Sequence, residues 1–424
     1  MRFDTLHAWL DWQQTLHPKN IELGLDRVRE VFQRLPIDRI AQKVITVAGT
    51  NGKGSTVAFY ESWFKHHDIK VASYTSPHVL RYNERIRFDA IPVTDSQLCE
   101  AFEVVDQARV DTALTYFEFG TLAAIDLFRS ANPDLVIMEV GLGGRLDAVN
   151  IMQPDVAVIT SIAIDHTDWL GSDRNAIGFE KAGIMRAGCP AICGDADPPK
   201  SLLDQASNTG AVLKLIGRHF GADPGEGQWN FFAAQDHINA LPMPALRGEF
   251  QLANAATALM ALMSLPGPGL DTEAIRRGLT DVQLPGRFQT LQARPEVIVD
   301  VAHNTAAAAS LAAQLRDHGV IGSTHAVIAM LEDKPVDEVV AQVAPEIDYW
   351  YTAGLESVPR GLSAKAMAAA VDQCEDDVKL STASSVASAC EQALSAADNN
   401  DRIIIFGSFY TVAEAMRYFT HQVQ

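Results

Sequence analysis

Ile45-Thr-Val-Ala-Gly49-Thr50-Asn51-Gly52-Lys53-Gly54-Ser55-Thr56 is the stretch on which the fold turns. A β-branched run enters a glycine-rich turn that holds a lysine and then two hydroxyls. Glycines let backbone N–H groups come close to a phosphate, a lysine reaches the outer phosphates, and a hydroxyl can ligate Mg²⁺. The pattern reads as a phosphate loop between a strand and a helix, and it implies use of a nucleoside triphosphate. It departs from the commoner G-x-x-x-x-G-K-[ST] spacing. The leading glycine is missing at Val47, and Gly54 intervenes before the hydroxyl. An ordinary strand–turn–helix junction is the other reading of these residues taken alone.

Around the loop, short apolar runs alternate with helical patterns. Val44–Thr50, Val71–Thr75, Leu135–Val140 and Val156–Ile162 read as buried strands; Thr56–Lys65 and Gly120–Arg129 read as helices. Such alternation implies a mostly parallel sheet covered on both faces. The glycine-, proline- and aromatic-rich stretch 217–250 suggests short antiparallel pieces, and Leu252–Leu265 reads as a helix. A second alternation follows. Val297–Val301, Ala326–Met330, Trp350–Ala353 and Ile403–Gly407 read as strands, and Thr305–Asp317, Pro335–Val343, Ser363–Cys374 and Ser384–Ala396 as helices. The fold class expected is α/β, with a P-loop domain over residues 1–290 and a smaller Rossmann-like α/β domain over 291–424.

The 424 residues exceed one typical core. A net charge of −19 argues against a nucleic-acid binder. It also means that a site for anions must gather positive potential locally, from lysine, arginine, helix N-termini and metal. Five cysteines, with only Cys189 and Cys193 close in sequence, read as buried thiols of a reducing cytosol. No apolar run reaches membrane-spanning length and the N-terminus has no signal-peptide pattern, so a cytoplasmic protein is expected.

Open α/β sheets place ligands at the carboxyl ends of strands, and several polar residues fall there. Glu139 ends one strand before Gly-Leu-Gly-Gly-Arg145-Leu-Asp147; it is either a paired core carboxylate or a Mg²⁺ ligand. Asp165-His166 ends another. Histidine there is structural or functional with little to choose, since magnesium prefers oxygen. Lys181, in Glu180-Lys-Ala-Gly-Ile, reads unaided as a solvated surface lysine. Ser76-Pro-His78 and the loop Arg81-Tyr-Asn-Glu84-Arg85-Ile-Arg87 are either surface charge or a substrate clamp. Asp300-Val-Ala-His303-Asn304 ends a strand of the second domain.

Taken together, these blocks resemble a known family. Gly-Thr-Asn-Gly-Lys-Gly-Ser, Tyr74-Thr-Ser-Pro-His, Thr115-Tyr-Phe-Glu118, Glu139-Val-Gly-Leu-Gly-Gly-Arg-Leu-Asp, Asp165-His-Thr-Asp-Trp-Leu-Gly, Glu180-Lys-Ala-Gly-Ile, Leu284-Pro-Gly-Arg-Phe and Asp300-Val-Ala-His-Asn occur in that order. The set is similar to the bacterial dihydrofolate synthase/folylpolyglutamate synthase family of the Mur ligase superfamily, from about Glu22 to Gly407. The resemblance implies ATP-driven amide formation between L-glutamate and dihydropteroate or reduced folates, through an acyl phosphate. It implies ATP contacts at Thr50, Asn51, Gly52, Lys53, Gly54, Ser55, Asn254, Arg287 and Asp300. It implies two Mg²⁺ ions, with ligands Ser76, Glu139 and His166, and a carbamylated Lys181. It also implies pteroate contacts at Glu22, Leu23, Gly24, Leu25, Thr115, Tyr116, Phe117, Glu118, Leu146, Asp147 and Ala148. Lys53, Lys181 and His166 become the catalytic candidates. Carbamylation has a physical motive: an ammonium ~4 Å from a metal repels each unit of its charge by roughly 4 kcal/mol at an effective dielectric of about 20. The partners implied are small molecules only, with a monomeric enzyme and neither nucleic acid nor membrane. A peptidoglycan- or cyanophycin-type Mur ligase and a non-enzymatic nucleotide switch are the rivals. Thr305 stands where the family usually has proline.

Overall fold

The strand that feeds the phosphate loop, β1 (Lys43–Ala48), is buried from Val44 onward, on both faces. Residues this apolar, with neighbours on either side, belong in the middle of a parallel sheet. The computed structural model describes all residues except 20, 38, 66, 235, 267–270, 375–378, 423 and 424. In it, β1 is joined by β2 (Val71–Tyr74), β3 (Ile86–Phe88), β4 (Ile91–Pro92), β5 (Leu135–Glu139), β6 (Val156–Ile159), β7 (Pro190–Cys193) and β8 (Val212–Leu215). Their order across the sheet is β4-β3-β2-β5-β1-β6-β7-β8. The strands from β2 to β8 run parallel, whereas β3 and β4 form an antiparallel edge. After β1 the chain moves to one side of it and then returns to the other, which makes the β1 end a topological switch point.

The stretch after β8 supplies a small antiparallel sheet of β9 (Phe220–Pro224), β10 (Gln228–Ala233) and β11 (Asp236–Pro242), as its composition suggested. A helix over Phe250–Met263 follows. The last sheet uses β12 (Gln289–Ala293), β13 (Glu296–Val299), β14 (Thr324–Ile328), β15 (Tyr349–Ala353), β16 (Leu380–Ala383) and β17 (Arg402–Phe406), in the order β12-β13-β17-β14-β15-β16. All its pairs are parallel except β12 with β13.

The chain forms two compact units. One comprises Met1–Ala163, Leu170–Ala245 and Gln251–Gln283; the other comprises Ile164–Trp169, Leu246–Phe250 and Leu284–Gln424. The core of the first includes a ring cluster in which Trp9, Phe102 and Phe119 sit 5.6–6.4 Å apart. The core of the second gathers Ile298, Leu311, Ile328, Trp350 and Phe406 around its sheet. All five cysteines are free. Among the described residues no helix is long and apolar enough to cross a membrane.

Candidate functional site

The loop after β1 is built by its neighbour. Thr50 N–H donates to the Ser161 carbonyl at 2.7 Å, and Asn51 N–H donates to Ser161 Oγ at 3.2 Å. Thr160 Oγ1 in turn donates to the Asn51 carbonyl at 2.6 Å. These bonds explain why β1 and β6 stop short of the expected ends: the last residues leave the ladder to brace each other's turns. Gly52, at φ +90°, caps the helix Lys53–Phe64 in a left-handed conformation, and a Cβ there would lie 2.4 Å from Asn254 Oδ1. Asn254 is buried and donates to Gln251 Oε1 at 3.0 Å, so it packs on the loop it was expected to serve. Lys53 Nζ folds back to the Gly49 and Thr50 carbonyls at 3.0 and 3.1 Å. The result is a helix N-terminus and an ammonium at one strand end, an anion cradle. Ser55 is buried in the first turn of the same helix.

Register brings the next groups alongside. Val47 of β1 faces Glu139, the last residue of β5, while Tyr74 of β2 faces Met138. Ser76, two residues past β2, therefore reaches Glu139, and its N–H donates to Glu139 Oε2 at 3.3 Å. Glu139 is 4% exposed. A serine whose backbone meets a buried carboxylate offers, in its hydroxyl and that carboxylate, the hard oxygen donors that Mg²⁺ prefers. Among the described residues no three His, Cys, Asp or Glu side chains cluster as a ready-made metal site.

Lys181 is not a surface lysine. It is 3% exposed, near the end of the helix Arg174–Ala182. Arg145 N–H donates to the Glu180 carbonyl at 2.8 Å, and a Cβ on Gly183 would come within 2.3 Å of Arg145 Cβ. These contacts pack the end of that helix closely on the loop that follows Glu139.

Three segments of distant sequence converge in the same unit. Gly24 N–H donates to the Leu146 carbonyl at 3.2 Å. Arg27 bridges Glu22, at 2.8 Å, and Glu118, at 3.0 Å. Glu118 also closes a capping box with Thr115 at the start of the helix Tyr116–Ala131. Tyr116 and Phe117 add rings, 5.6 Å from Tyr82 and 5.8 Å from Tyr74. Asp147 accepts from Leu142 and Val149 N–H groups at 2.8 and 2.9 Å. Burial pushes its carboxyl up to about 7; those backbone donors and Lys53 only partly offset it. Glu22–Leu25, Thr115–Glu118 and Leu146–Ala148 thus form one ring-lined wall.

The second unit has its own cluster. Asp165 accepts from Lys334 Nζ at 2.7 Å and from Asn304 Nδ2 at 3.0 Å, with His303 Nε2 at 3.7 Å. Burial alone would raise its carboxyl, but His303, His166 and Lys334 outweigh that and hold it below the usual carboxylate range. His166 follows at φ +53°, its N–H on Asp165 Oδ1 at 2.8 Å. Asp300 accepts from Phe288 and Ala302 N–H groups at 2.8 Å each. Burial raises its carboxyl despite the nearby Arg287 guanidinium. Arg287 lies over the Phe409 ring, 5.2 Å from its centre. Sequence reading missed Thr160, Ser161 and Lys334. The first two stand just before the Asp-His block, and Lys334 stands in Leu-Glu-Asp-Lys-Pro after a strand, where such groups collect.

Comparison with known proteins follows the same lines. Residues 47–262 match the Mur ligase middle domain, and residues 286–409 match the Mur ligase, glutamate ligase domain. The dihydrofolate synthase/folylpolyglutamate synthase of Escherichia coli K12 is 43% identical, over 97% of this chain and 94% of that one. The structure of E. coli FolC in complex with DHPP and ADP superimposes with a TM-score of 0.94 at 42% identity, covering 99% of both chains. A bifunctional folylpolyglutamate synthase/dihydrofolate synthase with Mn, AMPPNP and L-glutamate bound gives 0.90 at 43% identity, covering 98% of both.

Proposed function

The chain belongs to the dihydrofolate synthase/folylpolyglutamate synthase family of Mur ligases, and on that premise we propose that it joins L-glutamate to dihydropteroate and to reduced folates at the expense of ATP. A carboxylate is a poor electrophile. Phosphorylation by ATP turns it into an acyl phosphate, the glutamate amine attacks the carbonyl carbon, and inorganic phosphate leaves. What carries the reading is that Gly49–Ser55, Ser76 with Glu139, and Leu146–Ala148 all leave the carboxyl ends of neighbouring strands of one sheet.

In this assignment Lys53 and the loop N–H groups bind the triphosphate, with Asn254 buttressing the loop and Arg287 and Asp300 as further ATP contacts. Ser76, Glu139 and His166 would hold Mg²⁺, which when bound screens phosphate charge. The wall made by Glu22–Leu25, Thr115–Glu118 and Leu146–Ala148 orients the pterin acid. Lys181 is assigned as carbamylated: a buried ammonium is costly, and the adduct exchanges it for a carboxylate. We read the enzyme as a cytoplasmic monomer whose partners are small molecules, neither nucleic acid nor membrane; the charge of −19 supports this. The test is phosphate release measured with ATP and glutamate, comparing dihydropteroate with tetrahydrofolate. Both acids are expected to stimulate release, and Lys53→Ala to abolish it. Stimulation by neither acid would end the proposal.

A further inference from the structure

The segment Arg81–Arg87, which runs into β3, holds three arginines, and acids account for two of them. Arg81 Nη2 pairs with Asp95 at 2.9 Å, and Arg87 Nη1 with Glu61 at 3.3 Å. Arg85 differs. It is 8% exposed, yet among the described residues no carboxylate lies within ion-pairing distance of it. Its Nε donates to His78 Nδ1 at 3.0 Å. Its guanidinium carbon lies 5.1 Å from the Tyr82 ring centre and 5.6 Å from that of Tyr116. Aromatic faces attract a cation without neutralising it, and a buried charge lacking a counter-ion is destabilising. In a chain with 53 acidic side chains, the missing anion is explained if it arrives with a ligand.

The surroundings say which ligand. Tyr116 belongs to the wall assigned to the pterin acid, and His78 is two residues from Ser76, which is bonded to Glu139. Dihydropteroate brings one carboxylate, and that one reacts. A folate that already carries glutamate brings a second, the α-carboxylate, which stays intact while the γ-carboxylate is phosphorylated. A guanidinium forked onto the reacting group would occupy the lone pairs that must attack phosphorus. Forked onto the α-carboxylate, it would instead aim the γ-carboxylate. We propose that Arg85, oriented by His78 and stacked on Tyr82 and Tyr116, is a specificity-determining residue that receives the α-carboxylate of glutamylated substrates and leaves dihydropteroate unread. The inference rests on the ligase reading above.

The test separates the two. Wild-type enzyme assayed with dihydropteroate and with tetrahydrofolate checks the ligase reading by itself. Arg85→Gln, which keeps a donor for His78 but no charge, is then expected to raise KM for tetrahydrofolate by about tenfold or more, the loss of one charge-assisted fork. KM for dihydropteroate and for L-glutamate should stay within about twofold of wild type, a change of under 1 kcal/mol. Arg85→Lys retains the charge without the fork and is expected to fall between the two. Equal rises for both acids, a rise in KM for glutamate, or no change for tetrahydrofolate would overturn the proposal. If Arg85→Gln fails to fold, Arg85→Lys decides by the same ratio of KM values, because a merely structural role would not favour one acid over the other.

Discussion

At the scale of single residues, two buried groups set testable behaviour. Burial pushes the Asp147 carboxyl up from the ordinary 3.8 to about 7, because it disfavours the charged form. A raised carboxyl contributes stability that is complete below the unfolded value and is lost as pH climbs through the folded one. The melting temperature should therefore fall between about pH 4 and about pH 7, and fall less in Asp147→Asn, which cannot ionise. An unchanged slope in that variant would remove Asp147 as the cause. Lys181 gives the second prediction. Lys181→Ala should depress phosphate release severely, and acetate or formate should restore part of it by standing in for the adduct's carboxylate. No recovery at high concentrations of these acids would argue that the lysine acts as an amine. The lysine also shows where sequence reading ran out. One lysine on an amphipathic helix looks solvated; in the fold it is 3% exposed, and the tertiary packing that buries it is not written in the local sequence.

At the scale of elements, legibility followed burial and capping. The helix Thr305–Asp317 is legible at its start because Asn304 is a strong cap, accepting from Ala307 N–H at 2.9 Å. The central strands were legible as β-branched runs. Less so were β12, which is polar and sits at a sheet edge, and the short edge pair β3 and β4. The helix Asp95–Arg109 carries its own start signal in the Thr94–Gln97 capping box. Thr305, where the resemblance leads one to expect proline, has a partner: its Oγ1 donates to Glu338 Oε2 at 2.6 Å and so ties its helix to Val336–Val343. Thr305→Pro loses that exposed bond, worth about 0.5–1 kcal/mol, and gains a residue pre-set for a first helical turn. Asn304 is already extended, at φ −134° and ψ 164°, as a residue before proline must be. Urea denaturation should place the variant within about 1 kcal/mol of wild type; a larger loss would mean the hydroxyl bond carries more than its exposure suggests.

At the scale of the whole molecule, a charge of −19 must admit anionic substrates. Long-range repulsion is felt over about 30 Å at 10 mM salt and about 8 Å at 150 mM. Thus kcat/KM for the pterin acid should rise as monovalent salt increases across that range, and a steady fall would show that local positive potential already dominates. The two units carry separate sheets and cores, so calorimetry of unfolding is not expected to obey a single two-state transition. The six residues Ile164–Trp169 have a consequence for anyone recombining such enzymes. They belong to the second unit although both flanks belong to the first, and Asp165 among them is the counter-ion of Lys334, itself 7% exposed. A gene fragment beginning at Leu284 would encode a body with a missing plug and an orphaned ammonium. Grafting that body onto a distant relative would have to carry the short insert and Leu246–Phe250 along with it, which makes the segment from Leu284 onward a poor module for exchange however cleanly its boundary reads on paper.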